Sequence, residues 1–348
     1  MRNVFYFKDI NAIGGVESFF YYLSCLYKNM VVYYKQADPK QIERLAKNIE
    51  CNKYKTGEKI KCDKFFCCYN PDIIDYVDAK EYIQIIHCDY KSVDFKPIIH
   101  PKFTKYIGVS KLACDSFEEL TGIKPELIYN PVVVKNHNVE KYNDGKIHIL
   151  CATRLTKEKG GENIVKLAQL SDDFVIDLYS NRRLFPELPN IIKHDPKLDL
   201  SEDIAKSHYV AQLSKHEAFG YTPVESLTIG TPVIVTDLPV FKELGIKHGE
   251  NAIVCDYNMK NLDIDMIKKG LPDFTYTPPK SEWDRYLDNN TKYNPNKKVE
   301  VRAKISYTDT YLNRKVQINE EFKIPIWRAK MLEVTPRRIG IVGLVEIL

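Results

Sequence analysis

Ser214-Lys215-His216-Glu217-Ala218-Phe219-Gly220-Tyr221-Thr222-Pro223-Val224-Glu225-Ser226-Leu227 joins a run of strand character, residues 208–214, to the start of a helix. Pro223 suits a first helical turn, where its missing N–H costs nothing, and Gly220 breaks the regular backbone before it. Two carboxylates, Glu217 and Glu225, are separated by seven residues, one just past a strand end and the other in the first turn of a helix. Beyond the helix, residues 231–236 are strand-like again. An apolar strand, a helix and a second apolar strand predict a parallel sheet covered on both faces.

The same texture runs through the first 256 residues. Strands are expected at 3–7, 30–34, 64–69, 82–87, 105–110 and 126–129, then at 146–152, 173–179, 190–194, 208–214, 231–236 and 251–255. Amphipathic stretches separate them; in the clearest, Val16, Phe19, Phe20, Leu23, Leu26 and Tyr27 repeat at helical spacing. The series breaks at Asn130-Pro131 and the polar stretch from Asn136 to Gly145, which reads as a linker. The expected fold class is therefore α/β, with two Rossmann-like domains, residues 1–135 and 145–288, facing a cleft lined by the carboxyl ends of their strands. After a polar stretch from Leu287 to Asn296, residues 297–305, 316–318 and 342–348 look extended and 326–333 helical. These predict a small, mainly β module over 297–348.

Composition narrows the partners. A chain of 348 residues, 44% hydrophobic, fills cores of ordinary size, and a net charge of +4 gives no strong electrostatic case for a nucleic-acid or membrane partner, though nucleic acid stays open as an acceptor. From Lys280 onward 14 Lys and Arg stand against 9 Asp and Glu, so the tail is the basic part, though a solvated surface accounts for that. Nine cysteines, an odd number with no CxxC spacing, read as buried thiols in a reducing compartment. The chain opens on strand-like Val4-Phe5-Tyr6-Phe7 rather than a basic segment and a long apolar run, so no signal peptide, no membrane span and a cytoplasmic site are expected.

Other residues sit where ligands of α/β sheets bind. Ala152-Thr153-Arg154-Leu155-Thr156-Lys157-Glu158-Lys159-Gly160-Gly161 runs from a strand end to a helix start, placing Arg154 and Lys159 within reach of one anionic group. Gly14-Gly15 opens the first clear helix after strand 3–7, and His87 closes the strand that ends Ile85-Ile86. Plainer readings exist for each. Thr222-x-x-Glu225 fits a capping box, Glu217 an exposed loop carboxylate, and Arg154 and Lys159 surface cations beside Glu158. Asp263-Ile264-Asp265 has the DxD spacing of metal-binding triplets, but lies late in a polar stretch, so no metal is expected there.

Taken in order, these segments resemble the retaining GT-B glycosyltransferases that carry an E-x7-E signature, the large group that includes sucrose and glycogen synthases. The resemblance spans about residues 3 to 288 and continues through Ile229-Gly230-Thr231-Pro232-Val233-Ile234-Val235-Thr236-Asp237, Phe241-Lys242-Glu243-Leu244 and Gly249-Glu250-Asn251-Ala252-Ile253-Val254. Val109-Ser110-Lys111 and Ile128-Tyr129-Asn130-Pro131 match closing segments of the first domain, with a folding role only. Trp283 matches a final helix crossing back to that domain. The resemblance implies a nucleoside diphosphate sugar as donor substrate, a UDP-sugar before GDP-mannose, and no cofactor. It implies Glu217 at the sugar, His87 near the reacting carbon, Arg154 and Lys159 on the diphosphate, and Glu225 on the ribose hydroxyls. Gly15, Phe219, Gly220, Tyr221 and Thr222 complete the implied donor site. The usual glycine-rich turn after strand 173–179 is replaced by Ser180-Asn181-Arg182-Arg183, which leaves the base open. The tail resembles modules that recur in bacteriophage proteins, which would place the enzyme in a bacterial host and offer a surface to a protein partner. Two other readings stay open: a binding protein with a degenerate transferase fold whose β module does the work, and a sugar-nucleotide epimerase.

Overall fold

The computed structural model describes residues 2–181, 187–335 and 343–348. Arg182 and Arg183, and the start of the expected strand at 342–348, lie outside the described residues. Contacts divide the chain into two compact units: Met1–Ile86 with Pro97–Ile107 and Glu282–Leu348, and His87–Lys96 with Gly108–Ser281.

The first unit begins β1 (Asn3–Tyr6), α1 (Gly15–Leu26), β2 (Met30–Tyr34), α2 (Pro39–Ala46), β3 (Glu50–Lys53), β4 (Ile60–Cys68) and β5 (Val77–Ile86). Its strands lie side by side as β3-β2-β1-β4-β5, each adjacent pair parallel. Strand β3 is not expected from its polar sequence Glu-Cys-Asn-Lys; it forms because β2 offers it a free edge, Val31 to Glu50 through Tyr34 to Lys53. The apolar stripe of α1 buries Val16, Phe19, Phe20 and Leu23, whereas Leu26 is exposed and Tyr27 lies past the helix end. Phe5, Phe19 and Phe66 surround the fully buried Trp283 indole at ring distances of 6.4, 5.3 and 6.1 Å. The expected final helix is only a single 3-10 turn, Trp283–Arg285; the indole's burial, not a helix, fixes this segment.

The second unit contains α3 (Lys111–Thr121), β6 (Ile147–Ala152), α4 (Gly161–Gln169), β7 (Phe174–Tyr179), β8 (Ile191–His194), α5 (Ser201–Lys206), β9 (Tyr209–Gln212), α6 (Tyr221–Ile229), β10 (Val233–Thr236), α7 (Pro239–Glu243), β11 (Ala252–Cys255) and α8 (Ile264–Lys269). Its sheet runs β8-β7-β6-β9-β10-β11, all parallel. The strand order reverses between β6 and β9, the point where the loops after neighbouring strands diverge and leave a crevice. The polar stretch 136–144 is no free linker. Tyr142 stacks on His148 at 3.8 Å, and the Lys141 ammonium, its pKa lowered by burial, donates to the Ser207 carbonyl at 2.6 Å. Polar composition reads as a loop because sequence alone does not reveal these buried partners.

The tail returns to the first unit. It forms β12 (Lys298–Ala303), β13 (Tyr307–Asp309), β14 (Arg314–Val316), β15 (Glu321–Pro325), α9 (Ile326–Val334) and β16 (Val345–Ile347). β15, β12 and β16 make an antiparallel sheet around a core of its own, Val301, Ile324, Ala329, Leu332 and Val345. α9 lies against α2, with Lys47 over the Trp327 ring at 4.7 Å and the Lys330 ammonium donating to Asn52 Oδ1 at 3.3 Å. No helix among the described residues is long and apolar enough to cross a membrane.

Candidate active site

Two loops leave the sheet at the switch point. One follows β6 and carries Arg154 to Gly160; the other follows β9 and carries Leu213 to Gly220. Gly160 lets them touch. It caps α4 with a left-handed backbone, φ +73°, and a Cβ there would lie 2.1 Å from the Leu213 carbonyl oxygen. The Lys215 N–H then donates to the Glu158 carbonyl at 2.7 Å, and the Tyr257 hydroxyl donates to the Lys157 carbonyl.

This contact brings Lys159 and Glu217 together. The ammonium donates to Glu217 Oε1 at 2.7 Å, and both side chains are mostly buried, 16% and 13% exposed. Ser214 Oγ donates to the same oxygen at 2.7 Å and Gln212 Nε2 at 3.1 Å. Three donors thus converge on one carboxylate oxygen, a charge-assisted arrangement largely withdrawn from solvent. Glu217 is therefore not the exposed loop carboxylate of the plainer reading. Sequence reading missed Gln212 and Ser214; their signal is a polar pair, two residues apart, at the end of an otherwise apolar strand.

Arg154 remains exposed on the same loop. The Glu158 carboxyl is held below its usual pKa, first by its own backbone N–H, with Arg154 and Lys159 adding to this against the raising effect of burial. His87 follows directly on β5 and is only partly accessible; burial lowers its pKa to about 3, so the imidazole is neutral at physiological pH. The next residue, Cys88, is pushed up to about 12 by burial with Asp89 adding, while the nearby Lys159 charge opposes the rise. His87 thus lies one residue from a thiol close enough to feel the Lys159 ammonium.

α6 starts two residues before Pro223. Its N-cap is Gly220, φ +86°, with no side-chain cap bond, so Thr222 and Glu225 do not form a capping box and Glu225 is not spent on that role. Both residues are half-buried, and the Glu225 charge, second to burial, raises the pKa of the Tyr221 phenol. Phe219 and Tyr221 are buried against each other, ring centroids 5.0 Å apart, and form the loop's apolar floor. Gly15 opens α1 in the first unit, where Glu17 accepts from the Ala12 N–H at 3.2 Å. Asp263, first of the DxD triplet, caps α8 by accepting from the Met266 N–H at 2.8 Å.

Residues 189–275 match the family described as glycosyl transferases group 1. No curated protein matches the chain. Among solved structures, Anabaena Alr3699/HepE in complex with UDP-glucose is similar at a TM-score of 0.61 and 15% identity, over 77% of this chain and 89% of that one. A glycosyltransferase from Rickettsia africae ESF-5 is similar at 0.58 and 14%, over 77% and 88%. The lipopolysaccharide outer core galactosyltransferase WaaB in its apo form is similar at 0.54 and 14%, over 77% and 88%. At these identities the likeness shows the fold: two Rossmann-like sheets of the GT-B kind.

Proposed function

We propose that this chain transfers a hexose or N-acetylhexosamine from a nucleoside diphosphate sugar, a UDP-sugar before GDP-mannose, onto a glycan, a protein or another phage or host component. We further propose that transfer retains the anomeric configuration, needs no metal ion and takes place in the cytoplasm. The observation that carries the reading is the mostly buried Lys159–Glu217 pair at the point where the second sheet's strand order reverses, Glu217 lying within the residues 189–275 that match glycosyl transferases group 1.

The chemistry follows from what each group does when the donor enters. A diphosphate competes with Glu217 for the Lys159 ammonium, and exposed Arg154 supplies a second cation to the same group. Released from Lys159, the Glu217 carboxylate accepts from the sugar hydroxyls and faces the anomeric carbon, still oriented by Ser214 and Gln212. The bond from that carbon to the diphosphate oxygen breaks, its electron pair leaving on the diphosphate. The acceptor hydroxyl attacks from the same face and its proton passes to the departing oxygen. Neutral His87 offers a hydrogen bond to the sugar without adding charge beside the positive centre. Glu225 takes the ribose hydroxyls, and the backbone at Phe219 to Thr222 completes the donor site.

Release of free nucleotide from a panel of UDP- and GDP-sugars, in EDTA, tests the reading with Glu217→Ala as control. Turnover of one donor, reduced at least about 100-fold in the variant, is the expected result. Binding of donors with no turnover, with and without candidate acceptors, would instead support the non-catalytic binding protein. Turnover that requires a divalent ion would remove the metal-free step.

A further inference from the structure

Resting on the transferase reading, we infer that Ser110 is a positioning residue for Glu217. Ser110 is fully buried at the N-cap of α3, and its hydroxyl faces two ways. It accepts from the Ala113 N–H at 3.1 Å, the ordinary work of an N-cap serine. It also donates at 2.6 Å to the carbonyl of Ala218, the residue immediately after Glu217. That second bond is not needed to start a helix.

The loop from Leu213 to Gly220 has no regular structure, so its shape depends on outside holds. Before Glu217 there are several: Gly160 against Leu213, Thr236 Oγ1 donating to the Ser214 carbonyl at 2.6 Å, and Lys215 to Glu158. After Glu217 the described holds are Ser110 on Ala218 and Phe241 against Gly220, where a Cβ would lie 2.7 Å from the ring. Phe241 belongs to α7, and α7 also fixes Ser110. Glu243 on that helix accepts from the Lys111 N–H and, at 3.2 Å, from the Leu112 N–H, the first amides after Ser110. Ser110, Phe241 and Glu243 thus form a clamp on the far side of the Glu217 peptide. Loss of the serine hydroxyl lets the Ala218 peptide turn and the carboxylate drift, while Lys159 and Arg154 stay where they are.

The position calls for a donor and a cap together, which separates the inference from a merely structural role. Ser110→Ala removes both; Ser110→Gly removes the donor but keeps a nearly adequate cap; Ser110→Thr keeps both. With the full-length protein and the donor found active, kcat is expected to fall about 10- to 100-fold in the alanine and glycine variants alike, donor KM to stay within about twofold, and threonine to restore kcat. Amide exchange at Phe219, Gly220 and Tyr221 should quicken in the same two variants, a readout independent of turnover. Exchange unchanged in both overturns the inference, as does a kcat loss that follows thermal stability, with alanine low and glycine normal. If the wild-type protein turns over no donor, the transferase reading fails by itself, and the exchange data still decide whether Ser110 holds the loop.

Discussion

A partly buried histidine at the end of a strand has little freedom of protonation state. His87 titrates near 3 in the folded chain against 6.5 as its ordinary value. Above pH 6.5 both states are neutral and His87 adds no pH dependence. Below it the unfolded chain takes up the proton and the folded chain does not. Stability therefore falls as pH drops from 6.5 toward 3, by up to about 1.4 kcal/mol per pH unit. His87→Gln should flatten that part of the profile in urea titrations at pH 6, 5 and 4; identical slopes in wild type and variant would contradict it. At this scale much of the candidate site was legible. Glu217, Lys159, Arg154 and His87 could be picked out because each follows a strand end, where α/β sheets bind ligands. Gln212 and Ser214 were not, since nothing in a sequence says which nearby polar side chains turn toward one carboxylate oxygen.

At the scale of elements, the two loops are set by glycines whose conformations other residues rarely adopt. Gly160 and Gly122 make a matched pair: both have left-handed backbones, φ +73° and +72°. A Cβ at Gly122, the C-cap of α3, meets nothing within 4 Å, whereas one at Gly160 meets the Leu213 backbone. Gly122→Ala should cost about 1 kcal/mol, the price of the backbone alone. Gly160→Ala should cost clearly more, because the Lys159 loop must also lift away from Leu213. Equal midpoint shifts in denaturant would show that the loop moves aside freely. The helix start at Tyr221 rather than Pro223 is a related case. Proline is tolerated throughout a first turn, so the sequence bounded the start without fixing it, and the positive φ at Gly220, seen only in the fold, ended the ambiguity.

At the scale of the whole molecule, aromatic burial holds the late segment around residue 283 in the first unit, and α9 rests the tail on α2. Trp283→Ala removes the largest of its fully buried side chains and should destabilise by about 3–5 kcal/mol. A loss below about 1 kcal/mol by urea melting would mean that the surrounding phenylalanines collapse into the space. The sequence alone determined the α/β class, the parallel strands and the basic β-rich tail. Apolar period, turn residues and charge are local quantities, written in the order of the residues. Tertiary structure alone decided that Glu-Cys-Asn-Lys at 50–53 is a strand, that the polar stretch 136–144 packs onto the second sheet, and that α9 rests on α2. It alone turned Lys159 and Glu217, 58 residues apart, into a mostly buried pair. Each of these depends on which distant backbone or side chain is near enough to satisfy a polar group, and that proximity exists only once the chain has closed on itself.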